Sequence, residues 1–351
     1  MIDAANINRL AEMISKASRT AVVTHMKPDG DAIGSSLAMY RFLKEYTNGC
    51  PKIILNDPYP ANLAFMVAAD EENDILTFSE KQEDAREWIA EADLIICLDF
   101  NAFHRTDNME QPLLNAKGTK VLIDHHLNPE LKHFELAFST QEISSASELL
   151  FHILKAMPQC NGSAANLPMA AAEALMTGMT TDTNNFNNSV YPSTFNMASE
   201  LIAMGVDRDK ILFNLFNQFG ENRLRLLGTM LKDLLTITEE GVAYMVLDKN
   251  ILEKYHVDEG DTEGFVNMPL SIRNVRMSLL LKEDGDRVRV SIRSKKGVSA
   301  NRCSRLHFNG GGHENAAGGR LYISKEISDI SEAGKYVERH THIFFTEENE
   351  D

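Results

Sequence analysis

The chain has 351 residues, of which 43% are hydrophobic and 25% are charged, and its formal net charge is −16. This length exceeds what one hydrophobic core usually serves, so the sequence predicts two domains. The negative charge argues against a protein that coats long nucleic acids through a basic face. An anionic partner is therefore expected to be short and held by a few local cations, metals and backbone amides.

Targeting and redox signals are weak along the chain. No apolar run is long enough to span a membrane, and the N-terminus lacks the apolar core of a signal peptide. The four cysteines are far apart, without the paired spacing of a metal finger. We expect a cytoplasmic protein with no membrane partner, no disulfide framework and no structural zinc.

Strands and helices are predicted to alternate in the first half of the chain. Helical spacing and apolar runs predict, in chain order, a helix over 7–16, a strand over 20–24, a helix over 33–46, strands over 52–55, 93–98 and 119–123, and helices over 145–157 and 167–177. This alternation predicts an α/β fold with a doubly wound, mostly parallel sheet and helices on both faces.

The second half of the chain has a different pattern. Residues 193–235 have helical spacing and no strand signal, which predicts a helical linker. Strands are predicted over 242–247, 276–281 and 287–292, with Asp284-Gly285-Asp286 as a hairpin turn. The predicted organisation is a domain over 1–192, the linker over 193–235 and a smaller α/β domain over 236–346.

Carboxylates and histidines cluster at the ends of four apolar segments. These residues are His25, Asp29, Asp31, Asp99, Asp124, His125, His126 and Asp182. Strand ends meet at one edge of a parallel sheet, so such side chains are expected to converge there. A carboxylate that ends a buried strand is costly unless it is paired, protonated or metal-bound. Since divalent cations favour carboxylate and imidazole ligands, the pattern indicates a two-metal phosphoester hydrolase.

Each of these segments also has a purely structural interpretation. Asp29 and Asp31 fit an ordinary Asp-Gly turn, and Gly178 followed by Asp182 fits a helix end with a cap. If they converge with Asp99, however, the carboxylates of Asp29, Asp31 and Asp182 would repel it and one another in the absence of metals. Two divalent cations would cancel their four negative charges.

A glycine-rich segment near the C-terminus suggests a phosphate-binding site. Its consecutive glycines are Gly310, Gly311 and Gly312. Glycines let backbone N–H groups approach a phosphate closely, and His313 adds a side-chain donor. Arg293 ends a predicted strand of alternating apolar and polar residues, where it could bind a phosphate or carboxyl group. A flexible surface loop and an exposed strand arginine are the structural alternatives.

Taken in order, these segments resemble the motifs of the DHH phosphoesterase superfamily, named for the triplet Asp124-His125-His126. The glycine-rich segment resembles the signature of the DHH-associated domain, type 1 (DHHA1). The resemblance covers almost the whole chain. The short two-domain length is similar to that of the oligoribonuclease and pAp phosphatase group, or nanoRNases, rather than to the longer RecJ-like exonucleases.

The resemblance implies two divalent cations, with Mn²⁺ expected before Mg²⁺ or Co²⁺. The first would be held by His25, Asp29 and Asp99. The second would be held by Asp31, Asp99, His125 and Asp182, so that Asp99 bridges the two. Two such ions would activate water for attack on phosphorus.

The resemblance also implies roles for residues outside the ligand set. Asp124 would orient a ligand, and His126 would contact the substrate phosphate or the leaving group. Arg105 matches an arginine that follows the Asp99 motif in many relatives. The remaining substrate-binding candidates are Arg293, Ser294, Gly310, Gly311, Gly312 and His313.

The expected activity is hydrolysis of short oligoribonucleotides to mononucleotides, of 3′-phosphoadenosine 5′-phosphate (pAp) to AMP, or of both. Other hydrolase activities stay open: cleavage of pApA or cyclic di-AMP, a RecJ-like single-strand exonuclease and an exopolyphosphatase-related enzyme. A nucleotide-binding module without turnover is the alternative from another class. Long duplex nucleic acid is not an expected partner, and a homodimer is expected only from the family resemblance.

Overall fold

The computed structural model describes residues 2–257 and 260–347, and the chain divides into two units between Gln218 and Phe219. The strands of the first unit are β1 (Arg19–Val23), β2 (Cys50–Leu55), β3 (Ile75–Thr77), β4 (Leu94–Leu98), β5 (Thr119–Asp124) and β6 (Leu136–Ser139). Its helices are α1 (Ala4–Lys16), α2 (Gly30–Tyr46), α3 (Gln82–Glu91), α4 (Glu110–Asn115), α5 (Ala146–Ala156), α6 (Met169–Asp182), α7 (Pro192–Ala203) and α8 (Arg208–Phe216).

The six strands of the first unit form one parallel sheet in the order β3-β2-β1-β4-β5-β6. Helices α1, α2, α5 and α6 pack on one face, and α3 and α4 pack on the other. Every residue of β4 is buried, as expected for a strand covered on both faces. The predicted doubly wound parallel sheet is confirmed.

Four elements of this unit were not anticipated from the sequence, namely β3, β6, α3 and α4. The two strands have three and four residues and lie at the sheet edges, where there is little apolar pattern to detect. The predicted helix over 167–177 continues to Asp182 instead. Gly178 therefore lies inside α6, and the interpretation of this glycine as a helix end is wrong.

The second unit begins with α9 (Glu221–Thr229) and contains a mixed sheet. Its strands are β7 (Thr236–Ile237), β8 (Val242–Leu247), β9 (Met277–Asp284), β10 (Arg287–Ser294), β11 (Gly311–Gly312) and β12 (Ala316–Tyr322), and its other helices are α10 (Lys249–Lys254), α11 (Ala300–His307) and α12 (Ala333–Glu347). The strand order is β11-β12-β10-β9-β8-β7, in which β8 and β9 are parallel and all other neighbours are antiparallel.

The predicted hairpin is confirmed, because Asp284 pairs with Arg287 at the end of β9 and the start of β10. Its loop uses Gly285 at φ +65°, a conformation that favours glycine. In the predicted linker, α7 and α8 belong to the first unit and α9 to the second. The domain limits predicted from the sequence stay a prediction. Within residues 2–257 and 260–347, none of the helices has the length and apolar character needed to cross a membrane.

Candidate metal centre

The centre lies where the strand order of the first sheet reverses, between β1 and β4. In open α/β sheets, ligands bind outside the carboxyl ends of the strands at such a point. His25 follows β1 after one residue, and Asp99 directly follows β4. The Thr24 hydroxyl donates a 2.9 Å hydrogen bond to the Leu98 carbonyl and so joins the two strand ends.

The loop after β1 leads directly into α2. Asp29 is the N-cap of this helix, and its Oδ1 accepts hydrogen bonds from the backbone N–H groups of Asp31 and Ala32, at 3.0 and 3.1 Å. The same oxygen lies 3.9 Å from His25 Nε2. Asp29 thus has an extended backbone while Asp31 lies in the first turn of α2, and the two side chains point to different histidines, as the ligand assignment requires.

Asp31 is buried and held at the start of another helix. Its two carboxylate oxygens accept hydrogen bonds from the N–H groups of Ala146 and Ser147, at 2.7 and 2.9 Å, in the first turn of α5. A helix N-terminus favours a negative charge. Asp31 Oδ2 also lies 3.9 Å from His125 Nε2.

Asp182 reaches the centre from the last turn of α6, which packs very closely against α2. A Cβ atom on Gly34 would come within 2.7 Å of the Ala174 carbonyl oxygen, and one on Gly178 would come within 2.1 Å of the Ser147 hydroxyl. Glycine therefore allows the two helix backbones to approach. Asp182 Oδ2 lies 3.7 Å from His125 Nε2, and its side chain is 26% exposed.

Asp99 lies between the two histidine positions. Its Oδ2 is 3.6 Å from His25 Nε2, and its Oδ1 is 3.4 Å from His125 Nε2. The side chain is buried, yet among the described residues Asp99 Oδ1 accepts no hydrogen bond. The backbone at Asp99 has φ +62°, which is unfavourable for a residue other than glycine and often marks a functional site.

Among the described residues, three groups of candidate ligand atoms share Asp99; one contains Asp124 and His126, and the other two match the expected ligand sets. Of these two, His25, Asp29 and Asp99 form one group, and Asp31, Asp99 and His125 form the other, with the atoms of each group within 4.8 Å of one another. Asp182 lies beside the second group. A buried carboxylate oxygen without a hydrogen bond, between two imidazoles, fits a cation ligand. The donor set of carboxylates and imidazoles suits Mn²⁺, Co²⁺ or Zn²⁺ better than a purely oxygen-liganded ion.

The ring orientation of His25 also suits metal binding. His25 Nδ1 lies 2.8 Å from the Met26 carbonyl oxygen, so this nitrogen is the donor and Nε2 faces the carboxylates. A hydrogen bond of this kind on the far ring nitrogen fixes the tautomer of a metal-binding histidine.

The charges of the clustered carboxylates and histidines shift one another's pKa values. Burial raises the pKa of Asp31 well above its usual range, and the charges of Asp99 and Asp182 raise it further. Burial alone would lower the pKa of His125, but the carboxylates around it, Asp99 foremost, outweigh this and raise the pKa to about 10. Burial alone would raise the pKa of Asp99, but His125 and His25 hold it well below its usual range. Without a cation, the cluster therefore retains protons, which a divalent ion would displace.

Asp124 and His126 form a pair at the edge of these groups. Asp124 is the last residue of β5; its Oδ2 accepts the His126 backbone N–H at 3.1 Å, and its Oδ1 lies 2.8 Å from His126 Nδ1. Asp124 thus fixes the ring of His126 through its Nδ1 atom. His126 Nδ1 is also 3.6 Å from Asp99 Oδ1.

Arg105 adds a positive charge beside the centre. It is half-buried in a 3₁₀ segment, Phe103–Met109, and its carbonyl accepts a 2.8 Å hydrogen bond from the Met26 N–H. Burial lowers the pKa of His126, the hydrogen bond with Asp124 opposes this, and the charge of Arg105 adds to the lowering. Arg105 therefore lies near His25 and His126, and its role as a substrate contact stays a prediction.

The other substrate-binding candidates lie in the second unit. Arg293 is near the end of β10, where its Nη1 donates a 3.0 Å hydrogen bond to the Ile292 carbonyl. Ser294 is buried, and its hydroxyl donates to the Val298 carbonyl at 2.6 Å and accepts from Asn315 Nδ2 at 3.0 Å. These bonds already engage the Ser294 hydroxyl in holding the loop after β10.

The glycine-rich segment forms a small hairpin rather than a flexible loop. Gly311 and Gly312 make up β11 and pair with Gly318 and Ala317 of β12. A Cβ atom on Gly310 would lie 1.9 Å from the Gly318 carbonyl oxygen, so glycine is required there by close packing. His313 begins the turn, with its N–H donating to the Ala316 carbonyl at 2.7 Å.

One functional feature was missed by the sequence analysis, namely the contact between Asp31 and the start of α5. The pattern Ser145-x-x-Glu148 is a helix-start signal, and Ser145 does cap the helix. That signal locates the N-terminus of α5, but it does not reveal that Asp31, 115 residues earlier in the chain, binds there.

Comparison with known proteins agrees with this geometry. Residues 19–179 match the DHH family, N-terminal domain, and residues 239–337 match the DHHA1 domain. A crystal structure of an exopolyphosphatase-related protein from Bacteroides fragilis is 37% identical, with a TM-score of 0.88, over 98% of this chain and 97% of that chain. The chain belongs to the DHH family. The DHH and DHHA1 pair expected from the motifs is thus confirmed.

Two named relatives of this DHH protein differ in activity. The bifunctional oligoribonuclease and PAP phosphatase NrnA of Bacillus subtilis is 28% identical over 87% of this chain and 90% of its own length. The cyclic-di-AMP phosphodiesterase GdpP of Geobacillus thermodenitrificans is 26% identical over 93% of this chain, but over only 50% of its own length. Both names describe the hydrolysis of phosphoesters.

Proposed function

We propose that this chain is a two-metal phosphoesterase that hydrolyses short oligoribonucleotides to mononucleotides and pAp to AMP. The observation that carries the proposal is the pair of ligand groups that share Asp99, one containing His25 and the other His125. The names of the relatives that match over nearly their full length support the choice of substrate.

Two divalent cations, with Mn²⁺ as the proposed metal, would bind at the two groups. The proposed ligands are His25, Asp29 and Asp99 for one ion, and Asp31, Asp99, His125 and Asp182 for the other. When bound, such a pair acidifies a water molecule and offsets the negative charge that develops on a phosphoryl group. The chain supplies four carboxylates, and their charge is matched by two dications.

The residues around the ligands have separate proposed tasks. Asp124 holds the His126 ring, so His126 Nε2 can face the substrate phosphate or the leaving oxygen. Because Nδ1 is bonded to Asp124, a proton delivered to the leaving group would have to reside on Nε2. Arg105 would attract the scissile phosphate by charge. Both candidates for the role of His126, phosphate ligand and general acid, use the same atom.

The second unit is proposed to recognise the rest of the substrate through Arg293, the β11–β12 hairpin and His313. The hairpin offers backbone amides, and Arg293 a guanidinium group, for a terminal phosphate. With a net charge of −16, the chain has no general attraction for a long polyanion. A substrate of a few nucleotides fits this balance.

A second candidate is the cleavage of pApA or cyclic di-AMP. The similarity to a cyclic-di-AMP phosphodiesterase over 93% of this chain favours it, although only half of that relative is matched. The chemistry at the phosphorus atom would be the same. The two candidates differ in whether the substrate has a free end that the second unit must bind.

The deciding experiment is product release from pAp, a diribonucleotide, pApA, cyclic di-AMP and a single-stranded 20-mer, each with Mn²⁺ and with chelator. Fast Mn²⁺-dependent turnover of pAp and the diribonucleotide, with the 20-mer slow, supports the proposal. Preference for cyclic di-AMP supports the second candidate, and preference for the 20-mer indicates a RecJ-like exonuclease. Binding without turnover of any substrate would show a nucleotide-binding module.

A further inference from the structure

The start of α7 carries a phenylalanine that is largely in solvent. Phe195 is 57% exposed, and its ring is stacked on that of Phe186, with centroids 5.3 Å apart and planes at 11°. The Arg208 guanidinium carbon lies 5.6 Å from the Phe186 ring centroid. Large aromatic side chains are normally buried, so an exposed stack needs a reason other than core packing.

The backbone that presents Phe186 is in an unfavourable conformation. Asn185 and Phe186 have φ values of +56° and +65°, and a bulky residue with positive φ is a genuine outlier. Hydrogen bonds hold this shape: Phe186 N–H donates to Thr183 Oγ1 at 3.0 Å, Asn185 N–H donates to the Thr180 carbonyl at 2.8 Å, and Arg208 donates to Asn185 Oδ1 at 2.6 Å. Backbone strain that several bonds maintain is typical of a functional position.

Two connections link the stack to the elements that carry or hold the candidate metal ligands Asp182 and Asp31. Phe186 comes four residues after Asp182, so their Cα atoms are within about 15 Å of each other. On the other side, the Thr194 hydroxyl donates a 2.7 Å hydrogen bond to Glu148 Oε2. Glu148 belongs to the first turn of α5, the turn whose N–H groups bind Asp31.

We propose that the exposed face of Phe195 is a stacking platform for a nucleobase of the substrate, beside the phosphoester that is cleaved. The proposal rests on the proposed function, since it assumes a nucleotide substrate. Unpaired bases stack on aromatic side chains, and every base offers a π-face, so the platform would tolerate any sequence. In a duplex the base faces are already covered, which fits a single-stranded substrate of a few nucleotides.

The competing occupant of this surface is a second copy of the chain. Ile202 is 48% exposed and lies seven residues after Phe195, on the same face of α7. An interface between copies would cover both side chains, whereas a base would need only the aromatic ring. Ile202→Ala should therefore weaken an interface between two copies of the chain but leave the binding of a nucleobase unchanged.

The test compares Phe195→Ala and Phe195→Trp with the matched controls Ile202→Ala and Phe213→Ala. Phe213 in α8 is 51% exposed and lies outside the stack. The substrates are the diribonucleotide ApA and an analogue in which one nucleotide is abasic. We expect Phe195→Ala to raise the KM for ApA about ten-fold or more, with kcat within about two-fold. Phe195→Trp should restore the KM, and the abasic analogue and the controls should show no such change.

A binding measurement separates this proposal from the proposed function. Stacking quenches the fluorescence of 2-aminopurine, so a dinucleotide that carries this base should be quenched by the native protein and not by Phe195→Ala. Quenching without hydrolysis would support the platform while the proposed function fails. An unchanged KM and equal quenching in Phe195→Ala would overturn the platform, as would a change in oligomeric state shared by Phe195→Ala and Ile202→Ala.

Discussion

Gly34 in α2 lies so close to Gly178 in α6 that a Cβ atom added to Gly34 would stand 2.8 Å from the Gly178 Cα atom. The two glycines bring together the helices that carry Asp31 and Asp182. Because the atoms facing Gly34 belong to the backbone, they cannot rotate out of the way. The geometry of the candidate metal centre therefore depends on two residues that have no side chain.

We expect Gly34→Ala to destabilise the protein by about 1–3 kcal/mol, the usual cost of overpacking, and to weaken metal binding. Urea denaturation and Mn²⁺ titration measure the two effects. The control is Gly228→Ala in α9, where no described atom lies within 4 Å of the added Cβ. That change should leave stability equal or raise it by about 0.5–1 kcal/mol. A Gly34→Ala protein with native stability would show that the helices can move apart freely.

Asp99→Ala should abolish hydrolysis and leave the protein folded. Asp99 faces both His25 and His125, so its loss affects both ligand groups at once. We expect the activity to fall by about a thousand-fold or more, since removal of a central catalytic group usually costs this much. Metal analysis of the purified variant should also show fewer bound ions than in the native protein.

A suitable control for this experiment is Asp70→Ala, since Asp70 is exposed and lies in the same unit. It should keep native activity and metal content. Full activity in Asp99→Ala would contradict the two-metal assignment. Loss of the circular dichroism signal would instead mean that Asp99 is needed for folding.

Asp124→Asn should lower kcat while the metal content stays native. Asp124 bonds the His126 ring at 2.8 Å, and an amide in its place would not select the same ring tautomer. Loss of a residue that orients a functional histidine typically costs about 10–100-fold. If the variant instead loses an ion and keeps its kcat when excess Mn²⁺ is added, Asp124 is a ligand.

Glu148 should make the protein sensitive to acid. Burial alone would raise its pKa, but the neighbouring His152 and hydrogen bonds from Ser144 and Thr194 outweigh burial and lower the pKa from 4.5 to about 2. A folded-state pKa below the unfolded value gives stability that is present above about pH 4.5. That stability is lost as the pH falls towards 2.

The measurement is the Tm of the native protein and of Glu148→Gln between pH 7 and pH 3. The native protein should be the more stable at pH 7, and the difference should shrink as the pH falls. Glu142→Gln, an exposed neighbour, should run parallel to the native curve. A Tm difference between the native protein and Glu148→Gln that stays constant with pH would show that the charge of Glu148 does not contribute to stability.

Much of the first unit could be predicted from the sequence because its strands are buried on both faces. Such strands give continuous apolar runs, and the end of each run is visible as a polar residue. Asp99 and Asp124 stand out for this reason. In the structure, Asp99 joins the histidines and Asp124 holds His126.

The parts that could not be predicted depend on contacts between distant segments. Gly178 resembles a helix end in the sequence, since nothing nearby shows that Gly34 packs against it. The two bonds from α5 to Asp31 join residues more than 100 positions apart. The glycines of the β11–β12 hairpin were interpreted as a phosphate loop, but close strand packing alone already requires Gly310.

Asp29 caps α2 with the same oxygen that faces His25. Asparagine caps a helix as well as aspartate does, but its neutral amide offsets none of the charge of a divalent cation and so binds Mn²⁺ more weakly than a carboxylate. At this position the demands of folding and of metal binding can therefore diverge: a chain with the exchange Asp29→Asn would keep its helix and lose its ion. A homologue with this one exchange would therefore keep the fold and lose the metal-dependent activity, so a conserved fold does not by itself imply a conserved reaction.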